Sequence, residues 1–311
     1  MISVGKLSTV GLLGARGLVG ECVSSLFVQA GHEVCAFSRN TEHRKTQNGV
    51  TWLPLGGLVK ATQTPTLITN PNPNPNPNPN QSTITNWLCV APIWVLPDHF
   101  AMLESYGVRR IVALSSTSRF TKNDSNDLED QATAHRLADA ENRLQAWAES
   151  RGVEWVILRP TLIYGYGRDK NITEIIKVIR RFGFFPLFGQ AKGLRQPIHA
   201  DDVAGACVAA LNANAVANQA YNISGSETLS YRDMVVRIYK ALKKPVRLFA
   251  VPLFVFRFAV AMLKLFPSYR KWTPAMAERM NRDLVFDHSD ATRDFGFKPR
   301  AFVLTAKDVS A

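Results

Sequence analysis

The sequence is short of the features that mark secreted, metal-binding and membrane-spanning proteins. It has four cysteines in 311 residues, and no two of them form a CxxC pair. We therefore expect reduced cysteines in a cytoplasmic protein, with neither a disulfide framework nor a metal site. The beginning of the chain lacks the pattern of a secretory signal, and no apolar run reaches the ~18 residues of a spanning helix.

The charges also lack a strong local concentration, although the whole chain is basic. Lys and Arg number 37 against 25 Asp and Glu, which gives a formal net charge of +12. This balance favours an anionic partner, which could be a phosphorylated cofactor, a nucleotide-linked substrate, nucleic acid or an acidic membrane surface, while a simple contribution to solubility explains it equally well. Because no Lys/Arg-rich tract carries interleaved aromatic residues, we expect no nucleic-acid partner. The sequence gives no oligomeric state.

Strand-like apolar runs alternate with helical patterns along much of the chain. The alternation predicts an α/β fold of the Rossmann type, with a doubly wound parallel sheet and a smaller C-terminal lobe. The predicted strands cover residues 7–13, 32–37, 50–54, 87–91, 110–115 and 153–158. The predicted helices cover residues 18–30, 128–150, 172–182, 201–211 and 231–242.

A glycine-rich turn joins the first predicted strand to the first predicted helix. It reads Gly14-Ala-Arg-Gly17-Leu-Val-Gly20. In this context glycines let the backbone approach a pyrophosphate, and the helix N-terminus offers free N–H groups to it. A dinucleotide-binding turn is therefore favoured over a plain tight turn. The cofactor-binding residues predicted here are Gly14, Arg16, Gly17, Leu18, Val19 and Gly20.

The end of the second predicted strand lacks an acidic residue. An Asp or Glu at this place would accept the ribose 2′-OH of NAD, but the chain reads Phe37-Ser38-Arg39. Arg39 can instead pair with a 2′-phosphate, and Arg16 can assist it. We therefore predict that Ser38 and Arg39 contact the cofactor and that NADP is favoured over NAD. An ordinary exposed Arg39 is the alternative.

With its GxxGxxG spacing and three later segments, the chain resembles the extended short-chain dehydrogenase/reductase family, which holds the nucleotide-sugar epimerases and dehydratases. Ser115-Ser116 takes the place of the family's catalytic Ser/Thr, and residues 159–165 resemble its Arg-Pro-x-x-x-Tyr-Gly segment. Residues 195–204 resemble its Arg-x-x-x-His-x-x-Asp-x-Ala segment. The resemblance implies a catalytic Ser116, cofactor contacts and substrate contacts. The cofactor contacts would be Ala91, Pro160, Thr161 and Ile163, and the substrate contacts Tyr164 and a phosphate-binding Arg195.

One family motif is missing. The Tyr-x-x-x-Lys pair, whose Tyr is the general acid/base, falls on Thr133 and Leu137, while Glu141 matches a further family position. The leading prediction is an NAD(P)-dependent oxidoreductase or epimerase/dehydratase-like enzyme acting on a carbonyl or carbinol carbon, with a nucleotide-linked sugar as a candidate substrate. Ser116, with a substrate group or water, would then handle the proton. The alternative is a non-catalytic dinucleotide-binding protein with a structural or regulatory role.

The predicted organisation has two parts. Residues 1–165 would form mainly the NAD(P)-binding domain, and residues 166–311 mainly the substrate lobe, with some segments returning to the first domain. An Asn-Pro repeat at 70–80 is incompatible with helix or central strand and predicts a surface loop. The apolar segment 246–266 is expected to be a helix buried against the substrate lobe, and a peripheral membrane helix is the less favoured alternative.

Overall fold

The computed structural model describes residues 9–39, 49–55, 83–123, 125, 127–213, 215–252 and 278–310. The Asn-Pro repeat at 70–80 lies outside the described residues, as does most of the apolar segment 246–266.

The central element is a seven-stranded sheet in which every neighbouring pair of strands is parallel. Its strand order is β11-β6-β5-β4-β1-β2-β3. This confirms the predicted Rossmann-type α/β fold, and the described ends of the six predicted strands lie within two residues of their expected places. The seventh strand, β11, was not predicted. The sheet strands are β1 Thr9–Leu13, β2 Glu33–Ser38, β3 Val50–Pro54, β4 Asn86–Cys89, β5 Arg110–Leu114, β6 Glu154–Pro160 and β11 Gln219–Ile223.

Helices follow most of the strands, and their ends carry the expected caps. The long helix α4 begins after Asp127, whose side chain accepts hydrogen bonds from the backbone N–H groups of Glu129 and Asp130. It ends at Gly152, which has the left-handed conformation that glycine adopts without strain. The helices are α1 Leu18–Gln29, a 3-10 helix Ile93–His99, α2 Phe100–Ser105, α3 Ser118–Thr121, α4 Leu128–Arg151, α5 Ile172–Phe182, α6 Ala200–Asn212, α7 Tyr231–Ala241 and α8 Ser289–Phe295.

Both faces of the central sheet are buried, as a parallel sheet requires. Alternate strand residues point to opposite faces, so Val112 packs in the cluster that contains residues of α1 and α6, and Ile111 in the cluster that contains residues of α4. Gly11 makes room for one of the largest core side chains, since a Cβ added there would lie 2.4 Å from the Trp87 ring. This packing fixes the strand ends at which the site is built.

The described residues outside the central sheet and its flanking helices, which we call the second lobe, form short strand pairs and the helices α5 and α7. Its third apolar cluster includes Ile176 of α5 and Ile238 of α7. The expected helix at 246–266 is wrong at its beginning, because Leu248–Val251 is a strand that pairs in parallel with Phe185–Phe188. The sequence pattern did not reveal this distant partner, whose backbone fixes the extended form. The lobe strands are β7 Ile163–Tyr164, β8 Phe185–Phe188, β9 Leu194–Arg195, β10 Ile198–His199, β12 Leu229–Ser230 and β13 Leu248–Val251.

Candidate cofactor and active site

Packing within the chain requires glycine at two of the three glycine positions of the 14–20 turn. Gly14 has a φ of +89°, and a Cβ there would lie 2.4 Å from the backbone nitrogen of Ala91. A Cβ on Gly20 would lie 2.2 Å from the carbonyl oxygen of Gly14. Gly17 differs, because its φ of −76° suits any residue and its added Cβ would meet only the Gly14 oxygen, at 3.3 Å. Packing within the chain therefore requires glycine at Gly14 and Gly20 but hardly at Gly17.

Gly17 is also exposed and is the N-cap of α1, with no side-chain cap on the helix. The N–H groups of the first helical turn have no carbonyl partner within the helix, and they follow directly after this exposed glycine. We call the exposed Gly17 and the free N–H groups that follow it the cradle at Gly17. This arrangement fits a pyrophosphate, which a β-carbon at Gly17 would displace. Beside it, Leu18 is half-buried and Val19 is buried in the core.

Three further predicted cofactor residues and the predicted catalytic Ser116 lie at or just after the carboxyl ends of neighbouring parallel strands. Ser38 ends β2, Ala91 follows β4, Ser116 follows β5 and Pro160 ends β6. In a parallel sheet these ends share one edge, which is where ligands of this fold class bind. The structure therefore brings these residues to the same edge as the glycine turn.

Backbone hydrogen bonds connect the ends of β5 and β6. The carbonyl of Pro160 accepts from the Thr117 N–H at 3.1 Å, and the Thr161 N–H donates to Ile223 at 3.0 Å. The Thr161 hydroxyl donates to the carbonyl of Gln196 at 2.5 Å. Ile163 lies two residues farther along in β7. These hydrogen bonds therefore fix the backbone that follows β6.

Two arginines lie on the β2–β3 side of the turn. Arg39 is exposed directly after β2, and the Arg16 guanidinium lies 5.1 Å from the centre of the Trp52 ring on β3. Burial lowers the pKa of His99, and the positive charge of Arg39 lowers it further, against the opposing effect of Asp98. Positive charge thus collects where the predicted cofactor would place its adenosine ribose.

The positions of the missing Tyr and Lys offer no proton chemistry. The Thr133 hydroxyl donates to the carbonyl of Glu129 at 2.8 Å, one turn earlier in the same helix. Leu137 is 3% exposed and packs in the apolar core. Ser116 is half-buried, and its hydroxyl oxygen accepts a hydrogen bond from the Ser118 N–H at 3.1 Å. Among these three described positions, Ser116 is therefore the one that keeps a predicted catalytic role.

A fully buried carboxylate lies beside this site. Glu141 is 0% exposed and accepts hydrogen bonds from the Ser115 hydroxyl at 2.5 Å and from Nη2 of Arg159 at 2.6 Å. Arg119 donates to the same carboxylate. The centre of the Phe120 ring is 5.7 Å from the Arg119 guanidinium and 5.2 Å from that of Arg159. Sequence reasoning found Glu141 but missed Arg119, which no family motif marks.

The two predicted substrate residues lie inside the second lobe. Tyr164 is 0% exposed, and its ring packs edge-on against His199 and Phe302, with centroids 5.1 and 4.9 Å away. Arg195 is 4% exposed and donates to the carbonyls of Leu194 and Arg282, both at 2.7 Å, and to that of Arg279. Burial lowers the pKa of Arg195 to about 10. Their substrate contacts stay predictions.

Arg168 connects the second lobe to the glycine turn. The sequence did not reveal this connection. Its guanidinium donates to the carbonyl of Arg16 at 3.3 Å and to the carboxylate of Glu21 in the first turn of α1. The loop that carries it contains Gly165 and Gly167, both with positive φ. This loop therefore borders the proposed pyrophosphate site, although 147 residues separate Arg168 from Glu21.

A second buried carboxylate anchors the same loop. Asp308 accepts hydrogen bonds from the Tyr166 N–H at 2.9 Å and the Thr305 N–H at 2.8 Å, and pairs with His199 Nε2 at 3.1 Å. Burial alone would raise the pKa of Asp308, but these partners outweigh it and hold the pKa well below its usual value. The ionised carboxylate therefore ties the chain end to the loop and to β10.

The described part of the chain has neither a metal-ligand cluster nor a membrane-spanning helix. In those ranges no group of three or more His, Cys, Asp or Glu side chains could hold a metal ion. None of the described helices has both the length and the apolar character needed to cross a bilayer. All four cysteines, Cys22, Cys35, Cys89 and Cys207, are free thiols.

Comparison with known proteins identifies relatives in sequence. Residues 99–224 match the NAD dependent epimerase/dehydratase family. The chain is 25% identical over 203 residues to a UDP-glucose 4-epimerase of Vibrio cholerae, covering 62% of this chain and 59% of that protein. It is 24% identical over 201 residues to an uncharacterized protein, y4nG, of Sinorhizobium fredii, covering 62% and 50%. The chain thus spans between half and three-fifths of the length of these relatives.

Solved structures share the fold. MoeE5, in complex with UDP-glucuronic acid and NAD, superposes with a TM-score of 0.66 at 16% identity over 97% of both chains. UDP-glucose 4-epimerase from Thermotoga maritima, with UDP-glucose, superposes with a TM-score of 0.61 at 15% identity over 94% of both chains. The match of residues 99–224 to this family model and the fold shared with these structures support the resemblance that the sequence motifs indicate.

Proposed function

We propose that this protein binds NAD(P) at the 14–20 turn and acts as an NAD(P)-dependent epimerase- or oxidoreductase-like enzyme on a nucleotide-linked sugar. The observation that carries the proposal is the cradle at Gly17. There an exposed glycine, which the chain's own packing hardly requires, stands at the uncapped N-terminus of α1, at the strand edge where this fold class binds ligands.

The residues around the turn suit a phosphorylated dinucleotide. Backbone N–H groups at the start of α1 would hold the pyrophosphate, and Ala91, Pro160 and Thr161 would border the nicotinamide end. Arg39 and Arg16 carry positive charge to the ribose end, which favours NADP over NAD. When bound, the nicotinamide supplies hydride-transfer chemistry.

The chain's own residues would position the substrate and supply a hydrogen bond to the reacting oxygen. Ser116 is the residue proposed for this contact. Thr133 and Leu137 contribute no proton, so the proton would come from a substrate group or from water. Glu141 holds Ser115, and thereby fixes the loop that presents Ser116.

The substrate class rests on charge and on relatives. The solved structures that share the fold include complexes with UDP-glucuronic acid and UDP-glucose. A net charge of +12 favours such anions, and the predicted phosphate ligand is Arg195. In the described structure the Arg195 guanidinium is engaged by three carbonyls, so phosphate binding would require it to exchange at least one of them.

A non-catalytic dinucleotide-binding protein is the second candidate. The intrahelical hydrogen bond of Thr133 and the burial of Leu137 favour it, because together they leave the usual proton-transfer positions inert. Binding of a dinucleotide without turnover would be its signature.

One experiment separates the two candidates. Native protein and a Ser116→Ala variant are incubated with NADP(H) or NAD(H) and with UDP-glucose or UDP-glucuronic acid, and the sugar products are analysed by NMR. The enzyme proposal expects conversion by the native protein and a loss of about 100-fold or more in the variant. Tight dinucleotide binding without conversion of any nucleotide sugar would instead support the non-catalytic candidate.

A further inference from the structure

Three phenylalanine side chains of the second lobe are exposed side by side. Phe182 is 55% exposed, Phe184 38% and Phe249 58%. Their rings are in contact, with centroids 6.2 Å apart for Phe182 and Phe184 and 5.2 Å apart for Phe184 and Phe249. We call these residues, with the 46%-exposed Val246, the aromatic patch. Isolated apolar side chains are common on protein surfaces, but a contiguous group of aromatic rings indicates an interaction site.

The local backbone structure fixes the exposed positions of these rings. Helix α5 ends at Phe182, and Gly183 follows with a φ of +75°, which turns the chain so that Phe184 emerges beside Phe182. Phe249 lies on β13, in register with Pro186 of β8. The patch is therefore built on paired strands and a helix end rather than on a loop tip.

Basic side chains border the patch. Arg180 and Arg181 lie in the last turn of α5, and the Arg181 guanidinium lies 5.2 Å from the centre of the Phe182 ring. Lys243 and Lys244, both exposed, follow α7, and the exposed Arg247 precedes β13. The carbonyl of Arg247 accepts a hydrogen bond from the N–H of Phe185, the residue after Phe184.

Acidic residues are absent from the two segments that build this surface. Residues 175–200 and 234–252 each contain five Lys or Arg and no Asp or Glu. A second copy of the same patch would bring like charges together, which disfavours self-association through it. Aromatic rings with basic side chains in the adjoining segments instead match an anionic lipid surface, into which the rings insert while the cations meet the headgroups.

We propose that the aromatic patch and its basic border bind the surface of anionic lipid membranes, as a peripheral contact made by the folded second lobe. The contact is independent of the cofactor site. Each basic side chain near an anionic surface strengthens binding roughly fivefold, and the inserted rings add to this.

The test is co-sedimentation of the full-length protein with vesicles. The vesicles consist of phosphatidylcholine alone or of phosphatidylcholine mixed with phosphatidylglycerol. Native protein is expected to sediment with the mixed vesicles only, and raised salt should release it. Phe182→Ser/Phe249→Ser is expected to weaken binding at least tenfold, because two apolar side chains leave the interface. Lys243→Glu/Lys244→Glu should weaken it by a similar factor or more.

Matched controls come from α4. Leu128→Ser changes a side chain that is 79% exposed outside the patch, and Arg143→Glu/Arg151→Glu makes the same change of net charge there. Both control variants should bind the mixed vesicles like the native protein. Unchanged melting temperatures establish that all four variants are folded.

Several outcomes would overturn the proposal. One is native protein that binds no vesicles. Another is equal binding by patch and control variants. A dimer that dissociates on Phe182→Ser/Phe249→Ser would assign the patch to self-association. Loss of oligonucleotide binding in the patch variants, without any vesicle binding, would assign it to nucleic acid.

Discussion

Arg159 donates hydrogen bonds to the carboxylate of Glu141 through two nitrogens, with Nη2 2.6 Å from Oε2 and Nε 3.1 Å from Oε1. The pair connects the end of β6 to the middle of α4, and Arg119 adds a second cation to the same carboxylate. Because Glu141 is fully buried, its charge depends on these partners for stabilisation. The cluster fixes the position of the Ser115–Ser116 loop at the sheet edge that forms the candidate site.

We expect Glu141→Gln to destabilise the protein strongly. The substitution leaves two guanidinium groups near a neutral amide, and breaking such a buried ion cluster typically costs about 3–5 kcal/mol. Urea unfolding of the native and variant proteins measures the change. Glu149→Gln, at an exposed position of the same helix, is the matched control and should cost less than about 0.5 kcal/mol. Equal midpoints for the two variants would show that the cluster contributes nothing.

Gly17→Val should abolish dinucleotide binding while leaving the fold intact. The backbone at Gly17 is already in a region that valine adopts, and the added Cβ would meet only the Gly14 oxygen, at 3.3 Å. Gly205→Ala is the control. Gly205 lies within helix α6, and a Cβ added there meets nothing within 4 Å. That change should stabilise the protein by about 0.5–1 kcal/mol and leave binding unaltered. Titration calorimetry and thermal melts measure both effects, and unchanged affinity in folded Gly17→Val would refute the turn assignment.

Arg195→Ala separates two roles of one side chain. The contacts of Arg195 with the carbonyls of residues 194, 279 and 282 predict a lower melting temperature even without nucleotide. A phosphate role predicts in addition that UDP-glucose binding falls by about tenfold or more, as for a lost charge-assisted contact. Melting is measured first, and binding is then compared at a temperature where both proteins are folded. Retained UDP-glucose affinity in the folded variant would remove the phosphate role.

The stability contributed by Asp308 should depend on pH. Its pKa in the folded protein lies below the ordinary value of 3.8, because hydrogen bonds from His199, Tyr166 and Thr305 outweigh the effect of burial. The contribution is therefore complete above the unfolded-state value and is lost as the pH falls through the lower, folded-state pKa. Native protein should exceed Asp308→Asn in unfolding free energy most at neutral pH, and less below about pH 4. A pH-independent difference would contradict this.

Local patterns in the sequence were enough to predict the sheet edge and the glycine turn. Apolar runs of strand length and the GxxGxxG spacing depend on neighbours in the chain, so β1 through β6 and α1 lie where they were expected. The conflict at Thr133 and Leu137 was also visible from spacing, and the structure gives it a physical form in an intrahelical hydrogen bond and a core contact.

Contacts between distant parts of the chain escaped prediction. Arg119, Arg168 and Asp308 carry no local pattern, and their partners lie 22, 147 and 109 residues away. The strand at Leu248–Val251 looked like the start of an apolar helix, because its partner β8 is remote in sequence. Burial of Arg195 was likewise hidden, since its three carbonyl acceptors lie partly on the 279–282 segment.

The central claim is that the 14–20 turn binds a dinucleotide and that Arg39 selects NADP. The most direct measurement is a titration of native protein with NADPH and, separately, with NADH, followed by nicotinamide fluorescence, and repeated with Arg39→Ala. We predict that NADPH binds at least about tenfold more tightly than NADH, and that Arg39→Ala costs NADPH binding about 1.5–3 kcal/mol with little change for NADH. Absence of binding by either dinucleotide at about 1 mM would contradict the account, and equal affinities would contradict the role of Arg39.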